Sequence, residues 1–107
     1  MSTVSMLEVY EPGELTVVGF GGHEVLDHLD LAEVRDELMK LIKEHGCKTL
    51  AVDLTGVKLL PSGLLGVLAS IRGVGVEVQV FNACDDIREV LEITQLDRML
   101  EVCEVTV

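Results

Sequence analysis

Aromatic residues are nearly absent from this chain, and their scarcity limits its chemistry. The 107 residues include one Tyr, two Phe and no Trp. Sites that stack nucleobases or sugars rely on aromatic rings, so such ligands are not expected. Apolar residues nevertheless make up 49% of the chain against 25% charged residues, far from the composition of a disordered protein. The chain is therefore predicted to fold as a single domain, residues 1–107, around an aliphatic core.

Basic residues are scarce as well. The chain has 8 Lys and Arg but 19 Asp and Glu, which gives a formal net charge of -11. A surface of this charge repels a phosphate backbone, which argues against nucleic acid as a partner. The excess of carboxylates is expected mainly to keep the protein soluble, and it also permits a basic partner protein.

Cysteine pairs and long apolar runs are missing. Cys47, Cys84 and Cys103 are odd in number, widely spaced and form no C-x-x-C motif. Reduced thiols are therefore expected rather than disulfides or a zinc knuckle. No apolar run is long enough to cross a bilayer, and the N-terminus has no basic segment of the kind that begins a signal peptide. The sequence predicts a cytoplasmic protein without membrane insertion.

Recognisable catalytic and cofactor motifs are missing too. The stretch GFGG, residues 19–22, lacks the Gly-Lys-Ser/Thr of a phosphate loop and the third glycine of a dinucleotide fingerprint. Ser62 follows Leu60 and Pro61, which does not fit the Gly-x-Ser-x-Gly turn of a hydrolase. No pair of carboxylates stands in an apolar setting that would separate their pKa values. We expect neither enzymatic activity nor a cofactor.

A metal site is not expected either. His23 and His28 lie close to Asp27 and Asp30 in the sequence, but no second cluster at ligand spacing accompanies them. Residues 21–29 mix Gly, His and Asp without a clear period and are predicted as a loop. Solvated loop side chains are the favoured interpretation of these residues.

Periodic apolar residues are abundant. Around the turn Pro12-Gly13, β-branched residues predict a hairpin of two strands. Residues 31–45 have apolar side chains at helical spacing, between a capping residue, Asp30, and a terminating glycine, Gly46. An amphipathic helix is therefore predicted over residues 31–45.

The rest of the chain alternates between strand and helix patterns. KTLAVDL (48–54) is predicted as a strand, and SGLLGVLASI (62–71) as a short helix. RGVGVEVQVF (72–81) is predicted as a strand, because apolar residues alternate through Val74, Val76, Val78 and Val80. DDIREVLEI (85–93) is predicted as a helix with Ile87, Val90 and Leu91 on one face, and MLEVCEVTV (99–107) as an edge strand or docked tail. A strand, helix and strand of these lengths form neighbouring parallel strands. The predicted fold class is α/β.

Ser62 has two interpretations. As an N-capping residue, its hydroxyl would accept a hydrogen bond from one of the unpaired N–H groups of the helix that follows. As a phosphorylation site, it would hold a phosphate near the same N–H groups and the positive end of the helix dipole, so that the modification alters a surface without unfolding the domain. Exposed leucines beside it, from among Leu59, Leu60 and Leu64, would form an apolar contact patch that a phosphate disrupts, although Leu64 is better suited to the core.

The order of elements and three segments, AVDLTGV, PSGLLGVLASI and VEVQVFNACDDIREVLEITQLDRMLEV, resemble the STAS domain of bacterial anti-sigma-factor antagonists. The resemblance extends over about residues 14–105 and includes Asp53-Leu54, Ser62-Gly63, Leu91, Thr94 and Leu96. It implies a small mixed β-sheet of about four to five strands with helices packed chiefly on one face.

The resemblance also implies a function. In that family, an anti-sigma-factor kinase phosphorylates the serine directly before the glycine, and the unphosphorylated antagonist binds this kinase. Ser62 is the implied phosphorylation site, and an anti-sigma factor or serine-kinase-like protein is the implied partner. The partner-binding candidates are Leu59, Leu60, Pro61, Gly63 and Leu64. Because Leu60 and Pro61 stand where the family has an acidic residue and its neighbour, the alternative is a non-switching STAS scaffold of a signalling complex or a lipid-transport ABC system.

Overall fold

The computed structural model describes residues 7–21 and 30–103 of the chain. Its elements, in chain order, are β1 (Glu8–Glu11), β2 (Leu15–Gly19), α1 (Leu31–His45), β3 (Thr49–Asp53), α2 (Ser62–Gly73), β4 (Glu77–Phe81), α3 (Asp85–Ile93), a 3₁₀ helix (Leu96–Arg98) and β5 (Glu101–Cys103). The predicted loop falls outside the described residues except for Gly21, and so do His23, Asp27 and His28.

The strands form one mixed sheet in which strand order follows chain order, β1-β2-β3-β4-β5. β1 and β2 are antiparallel and form the predicted hairpin. β2, β3, β4 and β5 are parallel, and α1, α2 and α3 each connect two neighbouring parallel strands. The predicted α/β fold class is confirmed.

The helices pack on one side of the sheet, and the handedness of the connections explains why. Crossovers between parallel strands are right-handed in almost every protein. When crossovers of one hand add strands successively in one direction, their helices all lie on the same face. The core cluster accordingly combines alternate strand residues with helix residues, among them Val18, Leu50, Val52, Val78 and Val80 from the strands and Val34, Leu38, Leu64, Leu68, Ile87 and Leu91 from the helices.

The other side of the sheet has no helix of the described chain against it. We call it the open face, and define it by the side chains of Leu15, Val17, Ala51, Asp53, Gln79 and Phe81. Leu15 is 50% exposed, while Ala51 is only 4% exposed because its small side chain lies between those of two neighbouring strands. The prediction of helices chiefly on one face is thus met.

α1 begins and ends at the residues that the sequence predicts. The Asp30 side chain accepts a hydrogen bond of 3.2 Å from the Glu33 N–H, as an N-cap does. Gly46 has φ 59° and ψ 39°, the left-handed conformation that glycine adopts without strain, and its N–H donates to the Ile42 carbonyl. Both ends of α1 are therefore defined by capping residues.

Three details differ from the prediction. α2 extends over 12 residues, from Ser62 to Gly73, so it is not a short helix. Val74 lies in the turn after α2 and is 58% exposed, because the Val74 and Gly75 N–H groups bond back to the last turn of α2 and β4 begins only at Glu77. Val90, predicted on one face of α3 with Ile87 and Leu91, is 40% exposed, whereas those two residues are buried.

Candidate functional site

The candidate site lies at the carboxyl edge of the parallel strands. α2 follows β3 and α3 follows β4 in the chain, so both helices begin at this edge. In α/β sheets this edge is a frequent place for binding, because helix N-termini and loops meet there. Ser62, the first residue of α2, is therefore close to backbone N–H groups that have no acceptor within the helix.

Ser62 lies one position inside the helix. The N-cap is Pro61, with φ -70° and ψ 140°, so the predicted capping role of Ser62 is wrong. Pro61 makes no side-chain capping bond, and the first turn of α2 has no acidic residue. The positive end of the helix dipole is thus not compensated from within its own first turn, which favours a negative group at this position.

Gly63 is where α2 comes close to α1. A Cβ atom added at Gly63 would overlap the Cδ1 atom of Leu31, the first residue of α1. The missing side chain therefore leaves space for the end of the Leu31 side chain where the two helices begin. Gly63 has this packing role whether or not it also contacts a partner.

A polar network connects the ends of β3 and β4 next to the loop that leads to Ser62. The Asp53 carboxylate accepts hydrogen bonds from the Thr55 N–H, at 3.0 Å, and from the Thr55 hydroxyl. The Asn82 amide nitrogen lies 3.0 Å from the Thr55 hydroxyl oxygen and 3.4 Å from the Asp53 carboxylate. Asn82 follows β4 with φ 60°, a conformation that asparagine tolerates better than most residues. The network fixes the start of the β3–α2 loop.

An apolar groove of about 130 Å³ lies beside this loop. It is lined by Lys58, Leu59, Leu60, Leu65, Asp86, Ile87 and Val90. Leu59 is 57% exposed, whereas Leu60 is half-buried and packs against the core. Leu64 is only 1% exposed and belongs to the core, so it is not available as part of an exposed patch. Of the leucines predicted near Ser62, Leu59 and Leu60 reach this groove.

The groove includes residues that the sequence did not indicate. Val90 and Asp86 come from α3, more than 20 positions after Ser62, and Lys58 comes from the loop before it. Ile93, one turn beyond Val90, is 73% exposed. Val90 and Ile93 are three positions apart on one helix. Their spacing is the signal in the sequence that could have indicated an exposed apolar strip on α3.

Two solved structures share this architecture. The unphosphorylated form of the anti-sigma factor antagonist SpoIIAA aligns with a TM-score of 0.73 at 16% identity, over 94% of this chain and 86% of that one. The phosphorylated form of SpoIIAA, a Bacillus cell fate determinant, aligns with a TM-score of 0.66 at 19% identity, over 94% of this chain and 91% of that one. The chain has the STAS fold. No family model and no curated protein sequence matches it.

Within this STAS fold, the described residues contain no group of three or more His, Cys, Asp or Glu side chains that could hold a metal ion. Nor does any helix in residues 7–21 and 30–103 have the length and apolar character needed to cross a membrane. The groups that remain at the carboxyl edge are the start of α2, the polar network and the apolar groove.

Cys103, at the end of β5 in this STAS fold, is expected to react with iodoacetamide more slowly in the folded chain than in the urea-unfolded chain. Burial, and then the carboxylates of Glu101 and Glu77, raise the pKa of its thiol above its ordinary value. The thiolate is the reactive form, so its population at about pH 8 is lower in the folded state. Mass spectrometry of the Cys103 peptide after timed alkylation measures both rates.

The difference in alkylation rate is expected to narrow as the pH rises through the folded-state pKa of Cys103. Glu101→Gln is expected to increase the folded-state rate, because it removes one of the charges that disfavour the thiolate. Equal rates for the folded and unfolded chains at about pH 8 would contradict the raised pKa.

Proposed function

We propose that this chain is a non-enzymatic regulatory module of the anti-sigma-factor-antagonist kind, which binds an anti-sigma factor with serine-kinase activity and has Ser62 as its phosphorylation switch. The observation that supports it is the fold shared with SpoIIAA, an antagonist with both phosphorylated and unphosphorylated forms. The position of Ser62 adds a physical reason, since it opens a helix at the carboxyl edge of the sheet.

The partner surface in this proposal is the apolar groove together with the start of α2. Leu59 and Val90 are exposed enough to lose substantial apolar area to a partner, being 57% and 40% exposed. Burial of apolar area supplies the main driving force for association. A phosphate at Ser62 would add about two negative charges to this surface, and removing them from water would weaken the contact.

The switching step is a phosphoryl transfer. The Ser62 hydroxyl oxygen forms a bond to the γ-phosphorus of ATP bound to the kinase, the bond between the γ-phosphorus and the β–γ bridging oxygen breaks, and ADP leaves. The hydroxyl proton passes to a base of the kinase. This chain supplies the acceptor hydroxyl and the helix N-terminus that favours the product's charge.

Comparing partners of wild type and Ser62→Asp tests the proposal. Each variant is tagged, incubated with a lysate of the source cells, and its partners are identified by mass spectrometry. Wild type is expected to retain an ATP-binding anti-sigma kinase. Ser62→Asp is expected to retain at least about ten-fold less of this kinase, because the carboxylate imitates the phosphate charge. The thermal midpoint should not fall, since an acidic residue in the first turn of a helix stabilises it by about 0.3–1 kcal/mol.

Ser70→Asp is the matched control for charge. Ser70 is an exposed residue of the same helix, about two turns beyond Ser62, and its hydroxyl donates a hydrogen bond to the Gly66 carbonyl of that helix. This variant is expected to retain the kinase as wild type does. If wild type retains no such kinase, or if Ser62→Asp and Ser70→Asp behave alike, the switch proposal fails.

One observation favours the alternative, a non-switching scaffold of a signalling complex or of a lipid-transport ABC system. Leu60 packs against the core, so the position where related domains have a carboxylate here presents an apolar side chain to the interior. A scaffold would retain the same partners in wild type and in Ser62→Asp. The experiment above therefore distinguishes the two functions.

A further inference from the structure

The open face of the sheet has an unusual combination of properties. Sheets with parallel strands normally have both faces covered. Here β2 to β5 are parallel, yet the helices of the described chain cover only the core side. Leu15 is 50% exposed on the uncovered side, and Val17 and Phe81 are partly exposed there. This face is apolar enough to gain from being covered.

The charge on the strands is of one sign only. The five strands within residues 7–21 and 30–103 contain no Lys, Arg or His, and their carboxylates are Glu8, Glu11, Asp53, Glu77 and Glu101. All five are on the open face by strand register: Glu8 pairs with Gly19, Glu11 with Val17, Asp53 with Phe81 and Glu101 with Gln79, while Glu77 lies two positions before Gln79. Two copies of this chain would repel each other across this face. Its charge fits a basic partner.

The shape of the open face fits a helix. It contains a groove of about 340 Å³, lined by residues of β2, β3 and β4. The middle strand presents the small Ala51, while Val17 and Phe81 stand on the two strands beside it. β2 and β4 are two strand spacings apart, about 10 Å, which is the width of an α-helix. A helix can therefore lie along β3 between the side chains of β2 and β4.

The N-terminal hairpin supports the groove at one side. A Cβ atom at Gly19 would overlap the ring of Tyr10, so glycine allows this ring to lie on the end of β2. The Tyr10 hydroxyl accepts a hydrogen bond of 3.0 Å from the Gly21 N–H, which holds the ring in place. Tyr10 remains 48% exposed and extends the apolar surface beyond β2.

We propose that the open face binds a cationic amphipathic helix of a partner protein, which lies along β3 with its apolar side toward Ala51 and its Lys or Arg side chains toward the surrounding carboxylates. This surface is on the opposite side of the sheet from the helices and does not involve Ser62. The proposal is therefore independent of the proposed function.

Nuclear magnetic resonance with two synthetic peptides tests it. Both peptides are amphipathic helices of equal length with a leucine face, and their polar faces consist of lysine in one and glutamate in the other. On titration into the ¹⁵N-labelled full chain, the lysine peptide is expected to shift the amide signals of Val17, Ala51 and Gln79, and the glutamate peptide to shift none of them.

Ala51→Leu fills the groove without changing the charge. It is expected to weaken binding of the lysine peptide at least about ten-fold, although it makes the face more apolar, because the helix can no longer reach β3. Ala32→Leu adds the same side chain to an exposed position of α1 and is expected to change the affinity less than two-fold. The amide spectrum of each variant shows whether it is folded.

Gln79→Lys gives a second variant that does not depend on filling the groove. Its positive charge is expected to weaken lysine-peptide binding about five-fold, whereas Ala32→Lys should have less than half of that effect. The proposal is overturned if the shifts map to the helices, if both peptides bind equally, or if neither Ala51→Leu nor Gln79→Lys weakens binding. It is equally overturned if the open-face signals of the free protein depend on its concentration or show contacts with residues 1–6, 22–29 or 104–107.

Discussion

Val80→Asp is expected to prevent folding, whereas Gln79→Asp is expected to lower the free energy of unfolding by no more than about 1 kcal/mol. The two residues are adjacent in β4 but point to opposite sides of the sheet. The Val80 side chain is fully buried in the core cluster, so a carboxylate there would be removed from water and placed among apolar side chains. That penalty is several kcal/mol, a large part of the roughly 5–15 kcal/mol that stabilises a whole domain.

Gln79 is on the open face, and its replacement has a smaller cost. Its amide nitrogen lies 3.4 Å from a carboxylate oxygen of Glu101 across the strand pair, so Gln79→Asp exchanges a weak hydrogen bond for a repulsion between like charges. Far-ultraviolet circular dichroism and urea denaturation measure both variants. Similar losses for the two would mean that both faces of the sheet are buried in solution.

Leu64→Ala is expected to lower the free energy of unfolding by about 2–5 kcal/mol, and Leu59→Ala by less than about 0.5 kcal/mol. Both leucines were candidates for a partner surface next to Ser62. Leu64 is 1% exposed and its truncation leaves a cavity, while Leu59 is 57% exposed and its truncation removes little packing. The expected difference follows from burial alone, because the substitution is the same.

Urea denaturation monitored by circular dichroism determines both values, and the slope of the transition should stay unchanged. The pair also serves the proposed function, since Leu59→Ala is expected to weaken partner binding without affecting stability. An equal destabilisation by the two substitutions would contradict the assignment of Leu64 to the core and Leu59 to the surface.

Local signals predicted the elements that have chemical boundaries. α1 was predicted from residue 31 to 45 because Asp30 and Gly46 are good cap residues and its apolar spacing is regular. The strict alternation in residues 76–80 likewise predicted the core of β4. Patterns of this kind depend only on residues that are neighbours in the sequence, so the sequence is sufficient to predict these elements.

The same kind of signal fails where two elements meet. Val74 fits the alternation of β4, but the hydrogen bonds that close α2 take it into a turn. Ser62 is a good capping residue by type, but Pro61 occupies the N-cap because α2 begins at Ser62, one position earlier than a capping serine at this place would need. A shift of one residue decides whether a side chain lies inside a helix, at its cap or in the next strand. The amino-acid types at these positions do not determine that shift.

Contacts between residues that are far apart in the chain could not be predicted from the sequence. Asn82 meets Asp53 and Thr55 across 29 and 27 positions, and no spacing rule connects them. Leu59 and Val90 line the same apolar groove because α3 packs beside the β3–α2 loop. The identical sign of the charges on the five strands was present in the sequence, but it acquires meaning only once register places them on one face.

The agreement between strand order and chain order has a consequence for synthesis. Each of the described strands β2 to β5 pairs with the strand that precedes it in the chain, so the sheet can grow by one edge addition at a time as the polypeptide leaves the ribosome. The β1–β2 hairpin is complete first, and each later helix returns the chain to the edge just formed. No strand has to wait for a segment far downstream, which keeps unpaired edges short-lived while the protein is being made.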